Sequence, residues 1–138
     1  YETHITYRYT GESISGTMPR YEITELPEGY HEIKREETPN YTQIVYQDAN
    51  DGLQISLSYV YMQQGIAIDF IIENSEMLPI TVNGKVGEVY LSKNLDEMDS
   101  TITWIDTESS LQFIVDAKLG KEDILKIAES VSREGTRK

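Results

Sequence analysis

The last third of the chain constrains the fold most. Thr101 to Asp106, which carries Trp104, and Leu111 to Asp116 are short apolar runs separated by the turn-like Thr107-Glu-Ser-Ser110, and they read as a β-hairpin. A helix follows from about Lys121. Gly120 is an acceptable N-cap, Leu119 and Ile124 are spaced for a hydrophobic staple, and Glu122 and Asp123 put negative charge where the helix dipole favours it. Ile124, Ile127, Ala128 and Val131 fall on one face, with Leu125 beside them. Glu122–Lys126 and Glu129–Arg133 are i,i+4 pairs on the same helix, and Gly135 is expected to end it. A helix with one apolar stripe must cover something flat, so it is expected on one face of a sheet.

The rest of the chain supplies that sheet. Its ten tyrosines, its threonines and its period-two alternation favour strands. Strands are expected at His4–Thr10, Arg20–Glu25 and Tyr30–Glu36, with Leu26-Pro-Glu-Gly-Tyr30 as a turn. Tyr41–Asp48 and Leu53–Tyr61 form a hairpin around Ala49-Asn-Asp-Gly52. In its second strand Leu53, Ile55, Leu57, Tyr59 and Tyr61 share one face, and Gln54, Ser56 and Ser58 share the other, so one wet side is expected. Ile66–Glu73 is a more continuously apolar run and fits either a deep strand or a short helix. Ile80–Val82 and Lys85–Leu91 flank Asn83-Gly84, the strongest two-residue hairpin signal. Ser92–Asp99 and Gly11–Pro19 read as loops, and there is no internal repeat.

A chain of 138 residues fits one domain with a core of its own. The expected division is an N-terminal strand and linker segment at 1–19, a single α+β domain at 20–134 and a frayed tail at 135–138. Cysteine is absent, which removes disulfides and thiolate chemistry. The formal net charge of −12 repels phosphate backbones and anionic lipid, so nucleic acid is not an expected partner. No apolar run reaches bilayer length. The chain begins at Tyr1, which leaves room for an anchor upstream, and the membrane is expected to matter only through such an anchor.

Signatures of chemistry are sparse. His4 and His31 are the only imidazoles, too few for a nucleophile–base site or a zinc site, and both read as strand residues. Asp48, Asn50 and Asp51 before Gly52 suggest calcium, but the spacing misses the twelve-residue loop and fits an Asx turn. The acidic pairs Glu36-Glu37, Asp96-Glu97 and Glu122-Asp123 read as solvated charge rather than facing carboxylates. Tyr7, Tyr9, Tyr59 and Tyr61 fit core and sheet packing best, and as the alternative they supply an aromatic surface, with Tyr59 and Tyr61 the candidate partner-binding strip. Trp104 is expected to anchor the core under the terminal helix. No catalytic residue, metal site or cofactor is assigned.

Leu26-Pro-Glu-Gly-Tyr30, Tyr46-Gln-Asp, Gln54-Ile-Ser-Leu, Val82-Asn-Gly-Lys85, Thr103-Trp-Ile-Asp106 and Ile124-Leu-Lys-Ile-Ala-Glu-Ser-Val131 occur in an order that resembles the Gram-positive family catalogued as a domain of unknown function, number 4367. The resemblance spans about Tyr21 to Arg133. The order is also weakly similar to the carboxy-terminal domain of the periplasmic RseB/MucB regulators, which bind an anti-sigma factor. Gly120 stands where the family usually has a Ser-like cap, and Gln63–Met77 matches nothing in either pattern.

The expected fold is therefore α+β: a curved, mostly antiparallel β-sheet with a C-terminal α-helix packed on one face. The resemblance implies a non-enzymatic extracytoplasmic sensing or binding domain of a membrane-anchored bacterial protein, tethered by an upstream helix. Its partner would be a protein or an envelope component, with regulation of an anti-sigma/sigma system as one role. The alternative is a small-ligand or lipid carrier with a cavity between sheet and helix, lined by Ile68, Phe70 and Ile72 or their neighbours.

Overall fold

The computed structural model describes residues 4–8, 18–62, 67–71, 75–95 and 99–134. Its centre is a seven-stranded antiparallel sheet made of two meanders. The first is β3 (Tyr30–Thr38), β4 (Tyr41–Asp48) and β5 (Gln54–Tyr61). The second is β7 (Ser75–Val82), β8 (Lys85–Ser92), β9 (Ser100–Asp106) and β10 (Leu111–Ala117). They join where β5 pairs with β10, giving the order β3-β4-β5-β10-β9-β8-β7. Two short ribbons complete the strands: β1 (His4–Arg8) with β6 (Ala67–Ile71), and β2 (Tyr21–Ile23) with β11 (Val131–Arg133). The α+β expectation holds, with helix α1 (Lys121–Glu129) on one face of the sheet.

Turn chemistry sets the registers. Asn83 (φ 51) and Gly84 (φ 82) both take the left-handed conformation of the tight β7–β8 turn, pairing Val82 with Lys85. Asp48 and Asp51 build the β4–β5 connection: Asp48 Oδ1 accepts from Asn50 N at 2.8 Å and Asp51 Oδ1 from Leu53 N at 2.9 Å. The acidic cluster there is an Asx turn, as the spacing predicts.

The core lies between the sheet and α1. Leu57, Tyr59, Val115, Phe113, Ile102 and Trp104 face Ile124, Ile127 and Ala128, all buried. Burying each helix isoleucine contributes roughly 1.5–3 kcal/mol. Phe113 and Trp104 stack with centroids 5.2 Å apart and planes 9° from parallel. Opposite Trp104 the partner is Gly87, where an added Cβ would lie 2.3 Å from Thr103 O and 2.9 Å from Trp104 Cβ. The indole can occupy that site because its neighbour has no side chain.

Several expectations need correction. The helix stops at Glu129, not beyond Val131. Ser130 takes over the last turn, its Oγ donating to Ile127 O at 2.9 Å. Val131 then pairs with Ile23, so a β-branched residue that fits the helical stripe is used in a strand. Arg133 is likewise on β11, so it makes no helical pair with Glu129. The strand expected at Arg20–Glu25 is only Tyr21–Ile23, and of the two readings open for Ile66–Glu73 the strand holds for its described part, β6. β1 spans His4–Arg8 and pairs with β6, and the rest of the strand expected at His4–Thr10 lies outside the described residues. The second face of β5 is not wet along its length: Ser58 and Val60 are buried. Leu53 is exposed instead of joining the core face. Gly11–Thr17 and the tail at 135–138 lie outside the described residues.

Candidate functional site

The two faces of the sheet are covered differently. On the helix face, the aromatic hydroxyls hold the β2–β11 ribbon. Tyr59 OH accepts from Tyr21 N at 3.0 Å, and Tyr46 OH from Ile23 N at 3.2 Å. Burial pushes the ionisation of both phenols upward. Tyr59 and Tyr61 are thus buried core residues and present no strip to a partner. They alternate in phase with Ile55 and Leu57, and that whole set turns inward under the ribbon and helix.

The opposite face carries a row of buried polar side chains. Gln112 is fully buried and donates from Nε2 to Thr103 Oγ1 at 2.8 Å, while Thr103 Oγ1 donates to Phe113 O at 2.8 Å. Thr101 Oγ1 donates to Asp116 Oδ1 at 2.5 Å. Burial pushes the Asp116 carboxyl up to about 6, against the lowering effect of that hydrogen bond and with the nearby Asp99 charge adding to the rise. Glu88 accepts from Tyr90 OH at 2.9 Å and also from Tyr7 OH, which fastens β1 to this face. Desolvation and the Glu88 carboxylate raise the Tyr7 phenol well above its ordinary value.

Beside this cluster is a cavity of about 260 Å³. Thr103 and Gln112 lie on one side, Glu88 and Tyr7 on another, and Pro79, Val86 and Ile105 form the apolar part of its lining. Val86 is 75% exposed and Met77, on the same face of β7, is 50% exposed. This is apolar surface of an unusual kind for so acidic a chain, next to one half-buried carboxylate.

The sheet edges are poor docking sites by comparison. Edge strand β7 has Pro79 at its middle, which removes a donor. Edge strand β3 is bulged between Glu32 and Lys34 and is lined with charge. Arg35 there bridges Glu32 and Glu134, each at 2.9 Å, and Arg20 pairs with Glu37 at 3.0 Å, so the end of β11 is clasped to β3.

A second opening lies on the helix side, about 190 Å³ in volume, where the end of α1, β11 and the β7–β8 turn meet the sheet. The residues expected to line a carrier cavity, Ile68, Phe70 and Ile72, have side chains outside the described residues. His31 is exposed on β3, and the side chain of His4 is outside the described residues. Among the described residues no group of three His, Asp or Glu could hold a metal, and no helix is long and apolar enough to cross a membrane.

Glu88 and Tyr90 escaped sequence reasoning, although Val86, Glu88 and Tyr90 alternate cleanly with Gly87, Val89 and Leu91. The alternation assigns them a face. It does not show that β1 would arrive to make that face a pocket wall.

Comparison with known proteins gives one match. The family model described as a domain of unknown function (DUF4367) matches residues 20–131. No curated protein and no solved structure matches the chain.

Proposed function

The chain belongs to the DUF4367 family of domains of unknown function, and on that premise we propose that it is a non-enzymatic binding domain that docks a partner polypeptide on the face of its sheet opposite the helix. The observation that carries this reading is the cavity beside exposed Met77 and Val86, with Glu88 in its wall. An apolar side chain of the partner enters the cavity and a neighbouring Lys or Arg meets the acidic surroundings. The net charge of −12 favours a basic segment and speeds its encounter. Proline in β7 and the bulge in β3 favour recognition by the face over strand addition at an edge.

The same proposal places the domain outside the cytoplasmic membrane, tethered through an upstream helix, with a sensing role that includes regulation of a sigma-factor system. The family resemblance in the sequence supports that placement. A topology reporter fused at the carboxy terminus of the full-length protein tests it.

Docking is tested by photo-crosslinking in cells. A benzophenone amino acid replaces Val86 in the full-length protein, with Lys34 on exposed β3 as the control position. A discrete protein adduct from position 86 that is absent from position 34, and that salt weakens, supports the reading. Equal adducts at both positions, or none at 86, would overturn it.

A further inference from the structure

The helix-side cleft has a composition that the docking reading does not use. Its floor is the stacked Trp104–Phe113 pair, with Tyr21 edge-on to Phe113 at 4.9 Å. Around it stand Lys85, Arg133 and Asp106. Lys85 and Arg133 bring positive charge to the opening and Asp106 a carboxylate, with Glu108 close to Lys85 and Asp106, so charges of both signs meet there. A ligand that carries both charges is matched better here than a simple anion.

A helix C-terminus nearby would ordinarily repel an anion through its free carbonyls. Here those carbonyls are occupied. Asn83 Nδ2 donates to Glu129 O at 3.1 Å, Ser130 Oγ to Ile127 O at 2.9 Å, and Thr24 Oγ1 to Ser130 O at 2.7 Å. Asn83 can reach because the left-handed turn at Asn83-Gly84 brings the β7–β8 loop against the helix end. Asp106 Oδ1 accepts from Glu108 N at 3.0 Å, which fixes the carboxylate at the mouth of the β9–β10 turn.

We infer that this cleft binds a small zwitterion with an apolar or aromatic body, the chemistry of a free amino acid. Its carboxylate lies between Lys85 and Arg133, its ammonium meets Asp106, and its side chain rests on the Trp104–Phe113 floor. The volume of about 190 Å³ suits that size. It falls below the roughly 300–1,000 Å³ of pockets that take drug-sized ligands. The site lies across the sheet from the docking face and does not depend on it.

Trp104 is the only tryptophan in the chain, so its emission reports on the floor of the cleft. The intact chain is titrated with L-phenylalanine, L-leucine and L-glutamate, each compared with its amide and with the analogue lacking the amine. Backbone NMR shifts are read in parallel, so that a spectroscopically silent ligand is still seen. L-phenylalanine or L-leucine is expected to give a saturable response stronger than that of L-glutamate, with affinity lower by about tenfold or more for both of its analogues. Lys85→Gln and Arg133→Gln should each weaken it by a similar factor with the circular dichroism unchanged, and Val86→Asp should leave it intact. No saturable response to L-phenylalanine or L-leucine, or a response indifferent to the analogues and to both substitutions, would overturn the inference.

Discussion

Neighbouring residues in the sequence divide between two buried faces. Tyr59, Phe113 and Trp104 point toward the helix, and Ser58, Gln112 and Thr103, one position before each, point away from it. All six are buried. On the helix side burial works through area and ring packing, and polar atoms are few. On the other side it works through hydrogen bonds between buried side chains, with Thr101 Oγ1 donating to Asp116, Gln112 Nε2 to Thr103 and Thr103 Oγ1 to Phe113 O. The first face is committed to holding the domain together. The second tolerates a cavity and exposed Met77 and Val86, which makes it the freer surface for recognition.

Substitutions test this division, beginning with the largest expected effect. Trp104→Ala should cost about 3–5 kcal/mol in denaturant unfolding, because it removes the stacked partner of Phe113 and leaves a hole above Gly87. Gly87→Ala should cost about 1–3 kcal/mol or more by the same measurement, since the clash is with backbone oxygen and cannot be relieved by a rotamer. A Gly87→Ala variant of unchanged stability would mean that the two faces are not separated by a rigid sheet at this point.

Asp116 sharpens the comparison from the polar side. Its carboxyl titrates near 6 in the fold, above the 3.8 of an ordinary aspartate, so the folded state binds the extra proton. This group therefore favours folding most below pH 4 and withdraws that support as pH rises through 6. The amplitude is on the order of 2–3 kcal/mol. Asp116→Asn should flatten the pH dependence of the unfolding midpoint between pH 4 and 7 and stabilise the protein at pH 7.

Thr103→Val should cost about 1–3 kcal/mol, because it leaves the buried Gln112 amide without its acceptor at Oγ1. An effect below about 0.5 kcal/mol would show that this polar row contributes little to stability. Val86→Asp should fall within about 0.5 kcal/mol of the parent in unfolding while abolishing binding of the partner that the adduct identifies, since the side chain is three-quarters exposed. Loss of stability there would mark Val86 as part of the core and remove it from the docking surface.

Much of the sheet was legible because alternation and turn residues are local. Asn83-Gly84 located the β7–β8 hairpin, and the Asx residues at 48–51 located the β4–β5 turn. Trp104 was legible as a core anchor because a lone large aromatic on an apolar strand has few other uses. The end of the helix was not legible. Val131 satisfies both a helical stripe and a strand, and the choice depended on β2, more than a hundred residues earlier, offering a pairing edge. The alternative of a partner-binding strip at Tyr59 and Tyr61 fell for a related reason. Alternation grouped them correctly with Ile55 and Leu57, but no local pattern says which of two faces a helix and a ribbon will cover.

The sequence by itself determined the strand pairs with short turns, the presence and start of the helix, the strongly acidic field and the family. Each depends on residues close together or on a sum over all of them. Only the tertiary structure decided that β5 joins β10, that Tyr46 and Tyr59 hold β2, that Tyr7 reaches Glu88, and that Lys85, Arg133 and Asp106 surround one cleft. Those contacts join residues far apart in the chain, and their free energy exists only after the whole sheet has closed the loops between them.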